Sequence, residues 1–422
     1  MYNKFSLDNG LKVVTHTMPR MQSVALGIWI KVGGRYEPAD TKGTAHYLEH
    51  LLFKGSKKYS CRKLKESIEG VGGALNGFTS EELTCYLAKL PSRYLNLALD
   101  ILSDMVMHPN LVSGEVEKEK TVILEEIKMY KDQPQTYVYE LLDELLWPNQ
   151  PLGQAIAGTN ESVNKIKRED LRKFKQQYYT AANIIVSAAG ALEYKNFHKK
   201  VQSIFSGLKS EKSNAFAAAK ENQYKAKLKI FHKETEQTHL ALGFHSFKRE
   251  HPLKHALGLL HVVLGANMSS RLFNEVREKR GLAYEIGTAV KRFQDTGAFI
   301  VHAGIDNQKV TEAIDVILQE LEKVKSTFVT NGEFRRAKDF YLGQLTLALE
   351  DTLDHMLWIG ETTAALDKTY SLEEIIKEVN AIRRDDLHQV AKTLFKEEKI
   401  NLALIGPLKE SEPAIYNRLN IK

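Results

Sequence analysis

Two segments of the chain follow one pattern, and that repetition limits the available folds more than any other feature. VNKIKREDLRKFKQQYYTAANIIVSAAGAL (163–192) and VNAIRRDDLHQVAKTLFKEEKINLALIGPL (379–408) share a Val-Asn opening, a helical period and a closing Asn-led apolar strand. CYLAKLPSRYLNLALDILSDMV (85–106) and FIVHAGIDNQKVTEAIDVILQEL (299–321) share a strand, a loop and an amphipathic helix. Short-period likeness is common among helices, but two matches in the same order point to duplication. A chain of 422 residues also exceeds what one core usually supports. The expected fold is therefore α+β, with two duplicated domains, each a mainly antiparallel sheet packed with helices on one face. The polar, small-residue stretch LKSEKSNAFAAAKENQYKA (208–226) has no apolar stripe, so it is the expected linker between domains at 1–207 and 227–422.

Within the first half, FSLDNGLKVVTH reads as strand, turn and strand, and SVALGIWIKV (23–32) as a β-rich stretch. Helical periods cover about 42–54, 62–70, 92–107, 114–131, 136–147, 163–178 and 194–206, with extended runs near 75–79 and 83–89 and a buried strand in NIIVSAAGAL. The net charge of +6 is spread over 59 basic and 53 acidic residues that mix along the chain, which argues against nucleic-acid binding. Only Cys61 and Cys85 are present, without C-x-x-C spacing, so neither a disulfide framework nor a thiolate metal site is expected. The N-terminus lacks the apolar run of a secretory signal and no stretch approaches a membrane span, so a soluble, cytoplasmic protein is expected.

HYLEH (46–50) stands out against this background. On a helix His46, Glu49 and His50 fall at i, i+3 and i+4, on one face. Two imidazoles so spaced can reach one zinc ion at about 2.0–2.1 Å, and the carboxylate between them can serve as a base toward a water the ion activates. A catalytic zinc site wants a third protein ligand and an open position. The glutamate-rich helix EKEKTVILEEIKMY (117–130) offers Glu119, Glu125 and Glu126, and its spacing alone does not choose between Glu125 and Glu126.

The run GGRYEPADTKGTAHYLEHLLFKGS (33–56) resembles the active-site segment of the inverzincin metallopeptidases, the family of pitrilysin, insulin-degrading enzyme and the mitochondrial processing peptidase. The resemblance extends over essentially the whole chain. It implies a zinc endopeptidase with one Zn2+ per chain held by His46, His50 and Glu126, with Glu49 as the base and Glu119 as an acid behind the ligands. GGALNGFTSEELTCYL (72–87) resembles the family's substrate-binding edge strand, with Asn76, Phe78 and Thr79 in matching places. SSRLFNEVREKRGLAYEIG (269–287) resembles a second signature, in which Arg277 and Tyr284 hold the substrate backbone and stabilise the oxyanion. Family enzymes in one chain are about twice as long and form two facing bowls. The resemblance thus implies a homodimer, or a heterodimer with a related subunit, that cleaves oligopeptides or presequence-like segments. A catalytically silent structural or partner subunit is the alternative; HALGLLHVVL (255–264), at the corresponding place in the second half, carries no metal motif.

Overall fold

The computed structural model describes residues 2–211, 215–408 and 411–421. The first half runs β1 (Asn3–Ser6), β2 (Lys12–Thr17), β3 (Ser23–Ile30), α1 (Thr44–Leu52), α2 (Cys61–Glu69), β4 (Ala74–Thr79), β5 (Thr84–Pro91), α3 (Leu95–Met107), α4 (Ser113–Asp132), α5 (Pro134–Leu146), α6 (Asn160–Lys165), α7 (Arg168–Tyr178), β6 (Ile184–Gly190) and α8 (Tyr194–Phe205). The second runs β7 (Lys227–His232), β8 (Gln237–Ser246), α9 (Lys254–Leu264), β9 (Ala283–Arg292), β10 (Gly297–Asp306), α10 (Val310–Ser326), α11 (Asn331–Ala348), α12 (Thr352–Leu366), α13 (Leu372–Ala381), α14 (Arg384–Leu394) and β11 (Asn401–Gly406). The described residues of 208–226 form neither helix nor strand, and residues 212–214 of that expected linker lie outside the described residues.

The helix expected over 163–178 is two helices. Ile166 and Lys167 take extended backbone, Ile166 is fully buried, and the Asp170 carboxylate accepts the Lys167 N–H at 2.9 Å to start α7 afresh. The second half repeats the device, with Asp386 accepting from the Arg383 N–H at 2.7 Å ahead of α14. The sheets repeat as well. Their strand orders are β1-β2-β6-β3-β5-β4 and β7-β11-β8-β10-β9, and they become identical once β1 is set aside. In each, the pairing of the last strand of its half with the first long one is parallel (β2 with β6, β7 with β11), and the other pairings are antiparallel.

The chain divides into two compact units, Met1–Lys128 with Ala155–Ala217 and Thr346–Leu372, and Met129–Gln154 with Ala218–Leu345 and Glu373–Lys422. Each half therefore lends a helix to the other half's sheet, where the sequence expectation was a single cut near 208–226. The reason lies in the strands. On β3, Val24, Leu26, Ile28 and Ile30 join the core built with α1, α3 and α7, while Ala25 and Trp29 on the opposite face meet Met356, Ile359 and Ala364 of α12. A strand apolar on both faces needs cover on both. Small residues let α12 sit close: a Cβ on Gly27 would lie 2.5 Å from Met356 Sδ, and one on Gly360 2.1 Å from Trp29 Nε1. In the second unit α5 plays the same part, packing Val138, Leu141, Leu142 and Leu146 on Ala241, Ile300 and Ala403, while Phe244 and Phe299 on the other face meet Phe395. Helices cover one face as expected, and an exchanged helix covers the second.

Candidate metal centre

Helix α1 begins where Gly43 adopts φ 101°, a left-handed conformation that side chains disfavour. A Cβ there would also lie 2.6 Å from the Ala157 carbonyl oxygen. Leu48, Leu51, Leu52 and Tyr47 are buried in the first core, and the Tyr47 hydroxyl donates to the Val116 carbonyl at the start of α4. The polar stripe of α1 consequently faces α4. The stripe α4 buries there is Val116, Glu119, Ile123 and Ile127, at helical spacing. Glu126 lies at its margin and half-buried, whereas Glu125 points to solvent and pairs with Lys128 at 2.7 Å.

The His46 and His50 rings stand 4.5 Å apart, and their Nε2 atoms are 3.7 and 3.5 Å from Glu126 Oε2. Ligand atoms about 2.1 Å from a tetrahedral ion are about 3.4 Å from one another. The three side chains offer one ligand atom each within 4.8 Å of one another, the one such group of metal-binding side chains among the described residues. Geometry and donor types both fit zinc.

Electrostatics act in opposite directions on the two imidazoles. Burial, helped by the neighbouring His50 charge and opposed by Glu119, brings His46 down to about 3, so this ring is neutral with a lone pair to offer. Its buried Nδ1 has no hydrogen-bond partner among the described residues. His50 is also pushed down by burial, but the hydrogen bond from its Nδ1 to Glu119 Oε1 at 2.9 Å and the nearby Glu126 and Glu49 carboxylates leave it raised overall. The carboxylates thus favour the charged ring; once His50 is neutral, the bond from its Nδ1–H to Glu119 places the lone pair on Nε2, 3.5 Å from Glu126 Oε2. Burial would raise the Glu119 carboxyl; His50 and Lys54, whose Nζ is 2.5 Å from Oε2, hold it below its ordinary range instead. Glu49 is 8 % exposed and raised by burial, which outweighs the hydrogen bond its Oε2 accepts from the Thr79 hydroxyl at 2.8 Å. A base held above the usual carboxylate range is better matched to taking a proton near neutrality.

Of the three expected strand residues, only Thr79 faces the centre. β4 is the edge of its sheet, and Asn76 and Phe78 lie on its other face; Asn76 Oδ1 accepts the Gly77 N–H at 2.8 Å, and Phe78 sits edge-on to Trp29 at 5.7 Å. In the second unit the Arg277 guanidinium lies over the Tyr284 ring at 5.4 Å, and Tyr284 is 74 % exposed. In α9, the counterpart of α1, His255 bonds Glu378 (2.9 Å) and His261 bonds Thr288 (2.7 Å). Lys54 is a participant the sequence reading passes over; its place one turn after His50 was the available signal.

Two imidazoles and a carboxylate offer the donor types of a zinc site, and a second, buried carboxylate stands beside them. Two family models match the chain, insulinase (peptidase family M16) over residues 12–160 and the peptidase M16 inactive domain over 165–341. The chain belongs to peptidase family M16. It is 37 % identical to the uncharacterized zinc protease YmxG of Bacillus subtilis (strain 168), covering 96 % of this chain and 98 % of that protein. It is 34 % identical to the uncharacterized zinc protease SCO5738 of Streptomyces coelicolor, covering 96 % and 90 %. A protease from Helicobacter pylori has the same fold, with a TM-score of 0.90 at 24 % identity over 96 % of this chain and all of that one. Among the described residues no helix is long and apolar enough to cross a membrane.

Proposed function

We propose that the protein is a zinc endopeptidase acting on flexible oligopeptides or presequence-like segments, with one ion per chain held by His46, His50 and Glu126. The observation that carries this reading is the convergence of those three side chains beside a buried glutamate that is not among them. Bound zinc supplies Lewis acidity and brings the pKa of water to about 7. Glu49 would take a proton from the attacking water and deliver it to the departing amine, with Thr79 anchoring one of its oxygens. Glu119, steadied by Lys54, orients His50. The unpartnered side of β4 accepts an extended peptide as an added strand, so recognition rests on backbone more than on side chains. Arg277 and Tyr284 supply donors to the substrate backbone and the developing oxyanion, and two related chains, in a homodimer or a heterodimer, make the working assembly.

The silent-subunit reading is disfavoured because every position of the donor set is filled, and because the model described as inactive covers 165–341 and none of these residues. The deciding experiment replaces Glu49 with Gln and measures zinc content beside peptide cleavage. Cleavage should disappear while one zinc per chain remains; a variant that turns over like the parent removes Glu49 from the chemistry, and a parent without chelator-sensitive cleavage removes the peptidase reading.

A further inference from the structure

Residues 33–43, GGRYEPADTKG, join β3 to α1 and bury three charged side chains: Arg35 is 2 % exposed, Glu37 3 % and Lys42 2 %, and the Arg35 partner Glu82 is 3 % exposed. Apolar residues would fill such a space at lower desolvation cost. What buried ions add is direction, because a guanidinium fork and a carboxylate bond only along fixed lines.

Arg35 Nη2 donates to the Ala217 carbonyl at 3.0 Å and its guanidinium lies over the Phe216 ring; further bonds run to two places. Gly33 allows the segment to pass backbone against backbone beside the β4–β5 turn, since a Cβ there would lie 2.1 Å from the Ser80 carbonyl oxygen. The Gly34 N–H donates to Ser80 O at 3.0 Å, the Arg35 N–H to Glu81 O at 2.7 Å, and Arg35 Nη1 to Glu82 Oε1 at 2.7 Å. At its other end Glu37 accepts from the Gly43 and Ala45 N–H groups at 2.9 and 2.5 Å, the role of a capping side chain at the start of α1. Lys42 Nζ donates to Gly34 O at 2.6 Å and lies 3.6 Å from Glu37 Oε2, tying the end of the segment back to its beginning. The turn pinned in this way directly follows Thr79, and the helix start directly precedes His46.

Resting on the peptidase reading above, we infer that Arg35, Glu37 and Lys42 are positioning residues: a buried ionic brace that fixes helix α1 against edge strand β4 and thereby sets the contact between Thr79 and Glu49. None of the three touches the metal ligands' side chains in the bonds described; each acts through the backbone that carries them. The brace makes the strand that would receive the peptide and the base that would act on it a single rigid piece. A misplacement of about 1 Å between them would cost about a hundredfold in rate.

The test uses the full chain loaded with zinc. R35M/E82M exchanges the pair for apolar side chains of similar length, E82Q removes one charge while keeping its shape, R35K keeps the charge but loses the fork, and E37Q loses the capping charge. Three quantities are read: kcat and KM on a flexible peptide, zinc affinity by chelator competition, and amide hydrogen exchange over residues 74–83. For R35M/E82M we expect kcat to fall about tenfold or more with zinc retained, and exchange over 74–83 to quicken about tenfold. R35K should recover part of both. E37Q should weaken zinc binding about tenfold. Parent kcat and parent exchange in both R35M/E82M and E82Q overturn the brace, as does a drop in melting temperature with kcat per bound zinc unchanged. Should R35M/E82M not fold, E82Q decides in the same way. A parent chain that cleaves nothing defeats the peptidase reading, and the exchange measurement still decides whether the brace holds β4.

Discussion

Glu125 and Glu126 are chain neighbours with opposite surroundings. One faces solvent beside Lys128; the other lies within reach of two imidazoles. A step of 100° around α4 separates them, and the buried stripe of Val116, Ile123 and Ile127 decides which of the two turns inward. Glu126→Gln should weaken zinc binding by more than the about 10–100-fold typical of losing an outer partner of a ligand, whereas Glu125→Gln should leave zinc content and cleavage at parent levels. Metal analysis of the two purified variants after dialysis against a weak chelator checks this, and equal zinc content in both would deny Glu126 its role.

Single helices carry their own electrostatic consequences. α11 opens on a reciprocal cap, with Glu333 Oε2 accepting from the Thr330 N–H at 2.9 Å and the Glu333 N–H donating to Thr330 Oγ1 at 3.2 Å, while Arg271 Nε reaches Oε1 at 2.7 Å. Burial alone would raise this carboxyl; the bonds from Arg271 and Thr330 outweigh it and bring it to about 2, against an ordinary 4.5. A carboxylate lowered on folding adds stability that is fully present above 4.5 and is lost as pH falls toward 2. Glu333→Gln should therefore flatten the acid side of the stability profile in that window and leave its slope above pH 5 alone. Urea midpoints followed across the window test it; parallel curves for parent and variant would show the cap to be electrostatically idle. The Asp caps at the starts of α7 and α14 fall in KRED and RRDD, but the helical period carried the expected helix straight through the first of them, because periodicity does not register a break two residues long.

At the scale of the whole molecule, the exchange of α5 and α12 makes each unit depend on both halves of the sequence. A fragment ending at 217 would leave Ala25, Trp29, Cys85 and Ile185 without the residues of α12 that cover them. Such a fragment should aggregate or bind a hydrophobic dye strongly, and a peptide spanning 346–372 added in trans should suppress this. A fragment that stays monomeric, dye-silent and as stable as the full chain would show the exchanged helix to be dispensable. The two halves read as separate domains in the sequence because helical period and strand alternation identify each element but say nothing of which sheet it will cover. Sequence by itself determined the duplication and the imidazole pair with its glutamate, since each is set by spacings of a few residues along a helix or strand whose geometry is fixed by the backbone. Only the tertiary structure decided that Glu126 faces inward, that Thr79 rather than Asn76 or Phe78 meets Glu49, that Arg277 lies on Tyr284, and that helices change places. Those relations join residues far apart in the chain, and they are settled by which apolar faces must be covered together.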